Sequence, residues 1–130
     1  MKTYRTQLEV RGYELDSFGH VNHANYLNYF EHARWQMLQS EGITLALLEK
    51  WERWPVISQI EIKYLKPTFM GDVLEVETRC VDHGKARFKF EQTILKAGTP
   101  VCVATVHSVM VNKAGRPSDY PEQFARVWTA

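Results

Sequence analysis

The sequence has little cysteine, no surplus of charge of either sign and no long apolar run. Its 130 residues include only Cys80 and Cys102, and two thiols in strand-like segments form no disulfide framework, which indicates a reducing compartment. The formal net charge of +1 gives no reason to expect nucleic acid or a charged membrane as partner. No segment reaches the roughly 18 apolar residues of a membrane span, and the N-terminus lacks the apolar stretch of a signal peptide. We therefore expect one cytoplasmic domain over residues 1–130, without membrane insertion or nucleic-acid binding.

One long segment, residues 24–41, has helical periodicity, and Gly42 follows it as a stop signal. A first strand is predicted over 4–12, a polar loop over 13–23, and a short helical turn within 43–51. The apolar stripe of the long helix consists of Tyr26, Tyr29, Phe30, Ala33, Met37 and Leu38. This stripe predicts a helix with one face buried in the core.

The second half of the chain alternates apolar and polar residues with a period of two. Beyond Pro55 the pattern predicts a strand that ends before Pro67, and then strands over 73–82, 86–95 and 101–111. Residues 116–130 look like a loosely structured tail. One long helix with five long strands predicts an α+β fold in which a mainly antiparallel five-stranded sheet wraps around the helix.

Oligomerisation is expected because the helix covers one face of the sheet only. Val73, Leu95, Val106 and Met110 are predicted to lie on the other face. Apolar positions of this kind on an uncovered face are typical of contacts between subunits. We therefore expect a homo-oligomer.

The segment 16–26 combines groups suited to acyl chemistry. Asp16 and two histidines precede the helix, whose first N–H groups lack internal acceptors and carry partial positive charge. Such N–H groups can stabilise an oxyanion on a bound carbonyl, and a nearby carboxylate can activate water or attack the carbonyl itself. An Asp in a turn before a helix is, however, more often a cap or turn former.

The order of residues here resembles a known family. Asp16, Gly19, the run 23–26 (His-Ala-Asn-Tyr), Tyr-Phe-Glu at 29–31 and Ala-Arg at 33–34 resemble hot-dog-fold acyl-CoA thioesterases of the 4-hydroxybenzoyl-CoA thioesterase type. The similarity is closest to the branch associated with the Tol-Pal system. The resemblance implies a hot-dog fold, dimers joined edge to edge and often paired into tetramers, active sites between subunits, and no metal or cofactor.

The resemblance also implies roles for single residues. Asp16 corresponds to the catalytic carboxylate, as general base or nucleophile, and His23 to the residue whose backbone N–H polarises the thioester. Residues 18–22 differ from the usual sequence pattern of the branch and are expected to determine substrate specificity. Four substrate-binding candidates lie in and after this loop: Gly19, His20, Asn22 and Tyr26. His20 is equally well interpreted as a loop histidine that bonds backbone.

The strand after the His83-Gly84 turn carries the candidate cations for binding the phosphates of coenzyme A. Lys85, Arg87 and Lys89 alternate onto one face there, and the resemblance places nucleotide contacts near this strand. A solvated strand face is the simpler interpretation for any one of them.

Other polar residues are assigned structural roles. Glu31, a rival catalytic acid, lies two turns into the helix and is expected to pair with Arg34 or the sheet. His20 and His23 suggest a metal pair together with Asp16 or His32, but no cysteine or further spaced ligand completes a site, so none is expected. His83, in a turn, and His107, in an apolar strand, are also interpreted as structural.

The sequence thus predicts hydrolysis of an acyl-CoA to a free acid and coenzyme A. A hot-dog hydratase or dehydratase is one alternative, although its His-Phe-Pro or Asp-x-x-x-x-His pattern is missing where expected. A non-catalytic acyl-binding or scaffold protein is another, but such a module has no need of Asp16 beside a thioester.

Overall fold

The computed structural model describes residues 2–128, which form a five-stranded sheet and two α-helices. In chain order the elements are β1 (Tyr4–Glu9), α1 (His23–Ser40), α2 (Leu45–Trp51), β2 (Trp54–Tyr64), β3 (Val73–His83), β4 (Arg87–Lys96) and β5 (Thr99–Val111). Short 3-10 turns cover Gly12–Glu14 and Phe124–Val127. The predicted α+β composition with one long helix is confirmed.

Every strand pairing in the sheet is antiparallel, and the strand order is β1-β3-β4-β5-β2. β2 forms one edge with eleven residues, and β1 forms the other edge with six. A one-residue register shift between Ile57 and Gln59 leaves Ser58 as an extra residue in β2. The sheet therefore exposes one long, irregular edge and one short edge.

Helix α1 packs on one face of the sheet through the stripe that its periodicity predicts. All six predicted residues of that stripe are buried, with Phe30, Tyr29 and Ala33 least accessible. The sheet contributes alternating residues such as Leu74, Ile94 and Cys102, all completely buried. Burial raises the pKa of the Cys102 thiol to about 12, which keeps this side chain neutral within the core.

The predicted outer apolar face is partly wrong. Val73 is 52% exposed and Leu95 is partly exposed, as expected for that face. Val106 and Met110 are instead completely buried, on the side of the sheet that faces the helix. In β5 both faces carry apolar residues, so alternation alone does not indicate which face is the inner one.

The prediction of a loose tail over 116–130 is wrong for residues 124–128, which pack on the core; residues 129 and 130 lie outside the described residues. Phe124 and Val127 are buried, and the Phe124 ring lies 5.3 Å from the ring of Phe88. Trp128 stacks on His83 at 4.6 Å, which agrees with a structural role for that histidine. The C-terminal turn therefore closes the end of the core beside α1.

Helices long and apolar enough to span a membrane are absent from the part of the chain that the structure describes.

Candidate active site

The loop between β1 and α1 is organised by the buried side chain of Glu14. Its Oε1 accepts hydrogen bonds from the Arg11 backbone N–H (2.8 Å) and from the Tyr29 hydroxyl (2.8 Å), while Oε2 accepts from the Arg11 guanidinium (2.6 Å). Burial alone raises the pKa of Glu14, but the bonds and charge of Arg11 together with the Tyr29 hydroxyl hold that pKa below its ordinary value. Glu14 is therefore a buried anion that ties the start of the loop to the middle of α1.

Backbone hydrogen bonds of Glu14 fix the other end of the same loop. Its carbonyl oxygen accepts from the Asn22 N–H (2.9 Å) and from the Asn25 side-chain amide (2.8 Å). A bridge between Leu15 and Val21 closes the segment between them. The loop that carries Asp16 is thus a closed turn held against the first turn of the helix.

Asp16 lies within this closed turn, with its side chain partly exposed. Its Oδ1 accepts the Phe18 N–H (2.8 Å), and its Oδ2 lies 3.3 Å from Nδ1 of His20. Gly19, with φ of +88°, donates its N–H to the Asp16 carbonyl (3.1 Å). A side chain at Gly19 would be strained in that left-handed conformation, so this glycine shapes the turn.

The N-terminus of α1 begins at His23 and is capped by Asn22. The Asn22 Oδ1 accepts the Ala24 N–H (2.9 Å), and the Asn22 carbonyl accepts the Asn25 N–H. The His23 N–H precedes the N–H groups of Ala24 and Asn25. As the first N–H of the helix, it has no intrahelical acceptor. It is therefore placed to bond an external oxygen, supported by the partial positive charge of the helix end.

A cleft of about 270 Å³ brings the predicted catalytic residues together. We call it the Asp16 cleft; its walls include Asp16, His20, His23, Tyr26, Tyr64 and Lys66. The Tyr64 hydroxyl donates to the His23 carbonyl (3.0 Å), which attaches the end of β2 to the start of α1. The Tyr26 hydroxyl lies 2.7 Å from Oγ1 of Thr68, so the floor of the cleft is well packed.

The predicted substrate-binding residues divide into two groups by position. His20 and Tyr26 line the Asp16 cleft, whereas Gly19 shapes the turn and Asn22 caps the helix beside it. Arg87 and Lys89 line a different cleft, together with His107, and Lys85 is exposed in the turn before them. On β5, Lys89 pairs with His107, and Tyr64 of the Asp16 cleft pairs with Cys102. These two β5 residues are five positions apart, so the two clefts are separated by about 17 Å along the strand. One chain alone does not bring them to Asp16.

The expected pairing of Glu31 with Arg34 is replaced by another contact. The Arg34 guanidinium donates from Nη1 to Oε1 of Gln92 (2.9 Å), and Gln92 in turn donates to the Phe30 carbonyl (3.0 Å). Glu31 is exposed on the surface of α1. It lines a different pocket from the Asp16 cleft, and its expected non-catalytic role stays a prediction.

Sequence reasoning missed Glu14, Tyr64, Lys66 and Thr68. Glu14 follows Tyr13 in a segment that looks like an ordinary polar loop, so its burial had no local signal. The other three follow Ile62 by a few residues, but their contact with the helix start depends on tertiary folding. The buried Glu14 was detectable only through Tyr29, which, like Tyr26, presents a hydroxyl on a largely apolar stripe.

The arrangement can activate a nucleophile and stabilise an oxyanion in the same cleft. The Asp16 carboxylate keeps one oxygen on the Phe18 N–H and offers the other to His20 or to a bound water. The helix end supplies an N–H donor for developing negative charge. Among residues 2–128 there is no group of three or more His, Cys, Asp or Glu side chains that could hold a metal ion.

Comparisons with known proteins agree on the fold and the family. Residues 10–127 match the model of the thioesterase-like superfamily. The chain is 34% identical over 120 residues to the chloroplastic acyl-acyl carrier protein thioesterase ATL3 of Arabidopsis thaliana. That alignment covers 91% of this chain but 63% of the relative, so the chain spans less than two thirds of that protein's length.

Solved structures resemble the whole chain. A hypothetical protein from Aquifex aeolicus superposes with a TM-score of 0.90 at 28% identity, covering 97% of this chain and 99% of that one. A thioesterase from Thermus thermophilus, solved with coenzyme A and Zn, gives a TM-score of 0.82 at 31% identity and 97% coverage of both chains. The hot-dog fold is confirmed, and because the family match spans most of its length the chain belongs to the thioesterase-like superfamily.

Proposed function

We propose that this protein hydrolyses acyl thioesters to a free carboxylic acid and a thiol at the Asp16 cleft. The observation that carries the proposal is that the Asp16 carboxylate and the uncapped His23 N–H at the start of α1 belong to one cleft. Family membership and the thioesterase names of the relatives support the same reaction class.

In the proposed reaction, the thioester carbonyl oxygen accepts the His23 N–H. Asp16 either removes a proton from a water that attacks the carbonyl carbon, or attacks that carbon itself and forms a mixed anhydride that water then cleaves. In both routes the C–S bond breaks, and the thiolate leaves and takes up a proton. The side chain of His20, 3.3 Å from Asp16, positions the carboxylate.

The thiol is proposed to be coenzyme A, with an acyl carrier protein as the second candidate. The coenzyme A in the Thermus structure favours the first, and the Arabidopsis relative's name favours the second. Lys66 is the cation at the Asp16 cleft, and we expect it to contact a phosphate of either carrier. The predicted phosphate contacts Lys85, Arg87 and Lys89 lie in or beside a different cleft, about 17 Å away along β5.

A homo-oligomer resolves that separation. The free edge of β2 is eleven residues long and carries exposed Val56, Ile57 and Tyr64, which is typical of a strand that pairs with a second copy. Antiparallel pairing of two β2 strands places opposite ends of the two sheets side by side. We propose that the active site lies between the copies of a dimer, or of a tetramer built from such dimers.

The motif from Asp16 to Tyr26 supports a finer assignment. We propose the 4-hydroxybenzoyl-CoA thioesterase type, near the Tol-Pal-associated branch, acting in the cytoplasm without metal or cofactor. The hydrolytic reaction does not depend on this branch assignment.

Thiol release from a panel of thioesters tests the proposed function. Acetyl, hexanoyl, palmitoyl and phenylacetyl groups are presented on coenzyme A and on acyl carrier protein, to the wild type, Asp16→Asn and a control. The control, Asp119→Asn, neutralises an exposed carboxylate on a loop outside the Asp16 cleft. We expect release by the wild type and the control, and a loss of about 10²-fold to 10⁴-fold in Asp16→Asn.

The same panel separates the alternative functions. Release undiminished in Asp16→Asn refutes the assignment of Asp16. No release from any thioester favours a non-catalytic acyl-binding protein. Hydration of an enoyl-CoA without thiol release favours a hydratase.

A further inference from the structure

Tyr64, the last residue of β2, lies in the wall of the Asp16 cleft on a firmly held part of the sheet. Its backbone belongs to the β2–β5 ladder, where it pairs with Cys102. Directly after it, the N–H groups of Leu65 and Lys66 both donate to the Val101 carbonyl, at 2.9 and 3.1 Å. A side chain mounted on a strand in this way is placed more precisely than one on a loop.

The Tyr64 ring is itself oriented by two aromatic neighbours. It packs edge to face against the rings of Tyr26, at 5.5 Å, and His23, at 6.4 Å. Partial burial raises the pKa of the Tyr64 hydroxyl, which therefore keeps its proton at neutral pH and can donate it. The hydroxyl donates to the His23 carbonyl at 3.0 Å. Since the ring contacts do not involve the hydroxyl, replacing Tyr64 by Phe removes this hydrogen bond alone.

The peptide group between His23 and Ala24 is held at both of its ends. Its oxygen accepts the Tyr64 hydroxyl, and its N–H donates to the Asn22 side chain at 2.9 Å. The preceding peptide group, between Asn22 and His23, carries the His23 N–H. On the other side of that group, the Asn22 N–H donates to the Glu14 carbonyl at 2.9 Å. Fixed groups therefore flank the peptide that presents the His23 N–H.

This arrangement matters because an oxyanion donor is effective when its direction is fixed before the reaction begins. A donor that moves freely loses part of its effect, since displacements of about 1 Å at a reacting centre can cost about 10²-fold in rate. Glu14 supplies the restraint from the loop, and Tyr64 supplies a restraint from the sheet.

We infer that Tyr64 is a positioning residue: its hydroxyl holds the His23–Ala24 peptide so that the His23 N–H is directed at the thioester oxygen. Tyr64 acts through the backbone of His23 and not on the substrate itself. The inference rests on the proposed thioesterase function, because the His23 N–H is an oxyanion donor in that reaction.

The kinetics of Tyr64→Phe on phenylacetyl-CoA test the inference. We expect kcat to fall about tenfold, because the donor is loosened and not lost; removal of an entire oxyanion donor costs about 10²-fold to 10³-fold. KM should stay within about twofold, since the bond affects the transition state more than ground-state binding. Thermal unfolding verifies that the variant is folded.

Tyr120→Phe is the matched control. The Tyr120 hydroxyl also donates to a backbone carbonyl, that of Gly84 at 2.6 Å, but it lies outside the Asp16 cleft. Both variants lose one bond between a tyrosine and a carbonyl and keep the ring, so a general loss of stability affects them alike. Tyr120→Phe should retain the wild-type kcat. Equal kcat in the two variants overturns the inference and leaves the thioesterase function intact.

Hydrogen exchange of single amides, followed by NMR, tests the same restraint without catalysis. Loss of one neutral hydrogen bond should speed exchange of the Ala24 N–H about fivefold in Tyr64→Phe, while the Phe30 N–H in the middle of α1 is unchanged. Tyr120→Phe should change neither. Unchanged Ala24 exchange in Tyr64→Phe overturns the inference whatever the activity. No thiol release by the wild type rejects the proposed function, and this role of Tyr64 with it.

Discussion

The two ends of β2 adjoin sites of opposite character. In and beside the Asp16 cleft, polar groups are paired: Asp16 accepts the Phe18 N–H, Asn22 caps the helix and the Glu14 carboxylate accepts four hydrogen bonds. In a second pocket, which lies between α1, α2 and the start of β2 and which we call the aromatic pocket, rings such as Trp35, Trp54 and Phe88 form most of the wall. Hydrogen bonds therefore define the first site, whereas apolar packing defines the second.

The difference also concerns distance along the chain. The residues that organise the Asp16 loop lie between Arg11 and Tyr29, so a short local segment supplies them. The aromatic pocket joins Trp35 on α1 to Phe124 near the C-terminus. A local segment therefore determines the Asp16 loop, whereas packing between distant segments determines the aromatic pocket, which predicts that variants at the two sites affect different measurements.

The largest effect on stability is expected for Phe88→Ala in the wall of the aromatic pocket. Phe88 contacts the rings of Phe90 and Phe124, and removing it leaves a cavity that costs about 3–5 kcal/mol. Denaturant unfolding measures this loss; Phe18→Ala, at a residue 83% exposed, is the control with an expected change below about 0.5 kcal/mol. Comparable losses in the two variants contradict this account of the core.

Glu14→Gln is expected to have the next largest effect on stability, because it weakens the Asp16 loop. Loss of the buried carboxylate weakens its bonds to Arg11 and Tyr29 and is expected to destabilise the protein by about 1–3 kcal/mol at neutral pH. The exposed Glu9→Gln is the control. A lower kcat with a largely unchanged KM is expected too, since the loop positions Asp16.

The pH dependence of the same variant follows from the lowered pKa of Glu14. A carboxylate with a pKa below that of the unfolded chain stabilises the fold above the ordinary glutamate value of about 4.3. This stabilisation disappears as the pH falls through the lower pKa of the folded state. The free energy of unfolding should therefore decline less steeply from pH 6 to pH 3 in Glu14→Gln than in the wild type. Parallel curves of this free energy against pH contradict the assignment.

Asn22→Ala removes the cap of α1 and is expected to cost about 1 kcal/mol. Asn22→Asp keeps an acceptor for the Ala24 N–H and should restore most of the stability. Asn28→Ala, within the exposed face of the same helix, is the control and should be neutral or slightly stabilising. Equal destabilisation by the Ala and Asp variants excludes capping as the role of Asn22.

Lys66→Ala is expected to have the smallest effect, a rise of a few-fold in KM for a thioester of coenzyme A. Lys66 is exposed, so the contribution of its charge is modest and should shrink as salt is added. Lys50→Ala, on the exposed side of α2, is the control. A KM change that is independent of ionic strength contradicts an electrostatic contact between Lys66 and the carrier.

Local patterns predicted the helix, the strands and the position of Asp16. The spacing of Tyr26, Phe30 and Ala33 identified the buried face of α1, because helical periodicity alone determines which residues share a face. Val106 and Met110 were placed on the wrong face, since β5 is apolar on both sides. Glu14 was not recognised, because its importance depends on burial and on the Tyr29 hydroxyl of α1.

The measurement that tests the central claim most directly is kcat for Asp16→Asn and for the control Asp119→Asn on phenylacetyl-CoA, both folded and compared with the wild type. We predict that Asp16→Asn loses about 10²-fold to 10⁴-fold in kcat while Asp119→Asn retains the wild-type value. Wild-type kcat in Asp16→Asn would contradict it and move the chemistry away from the Asp16 cleft.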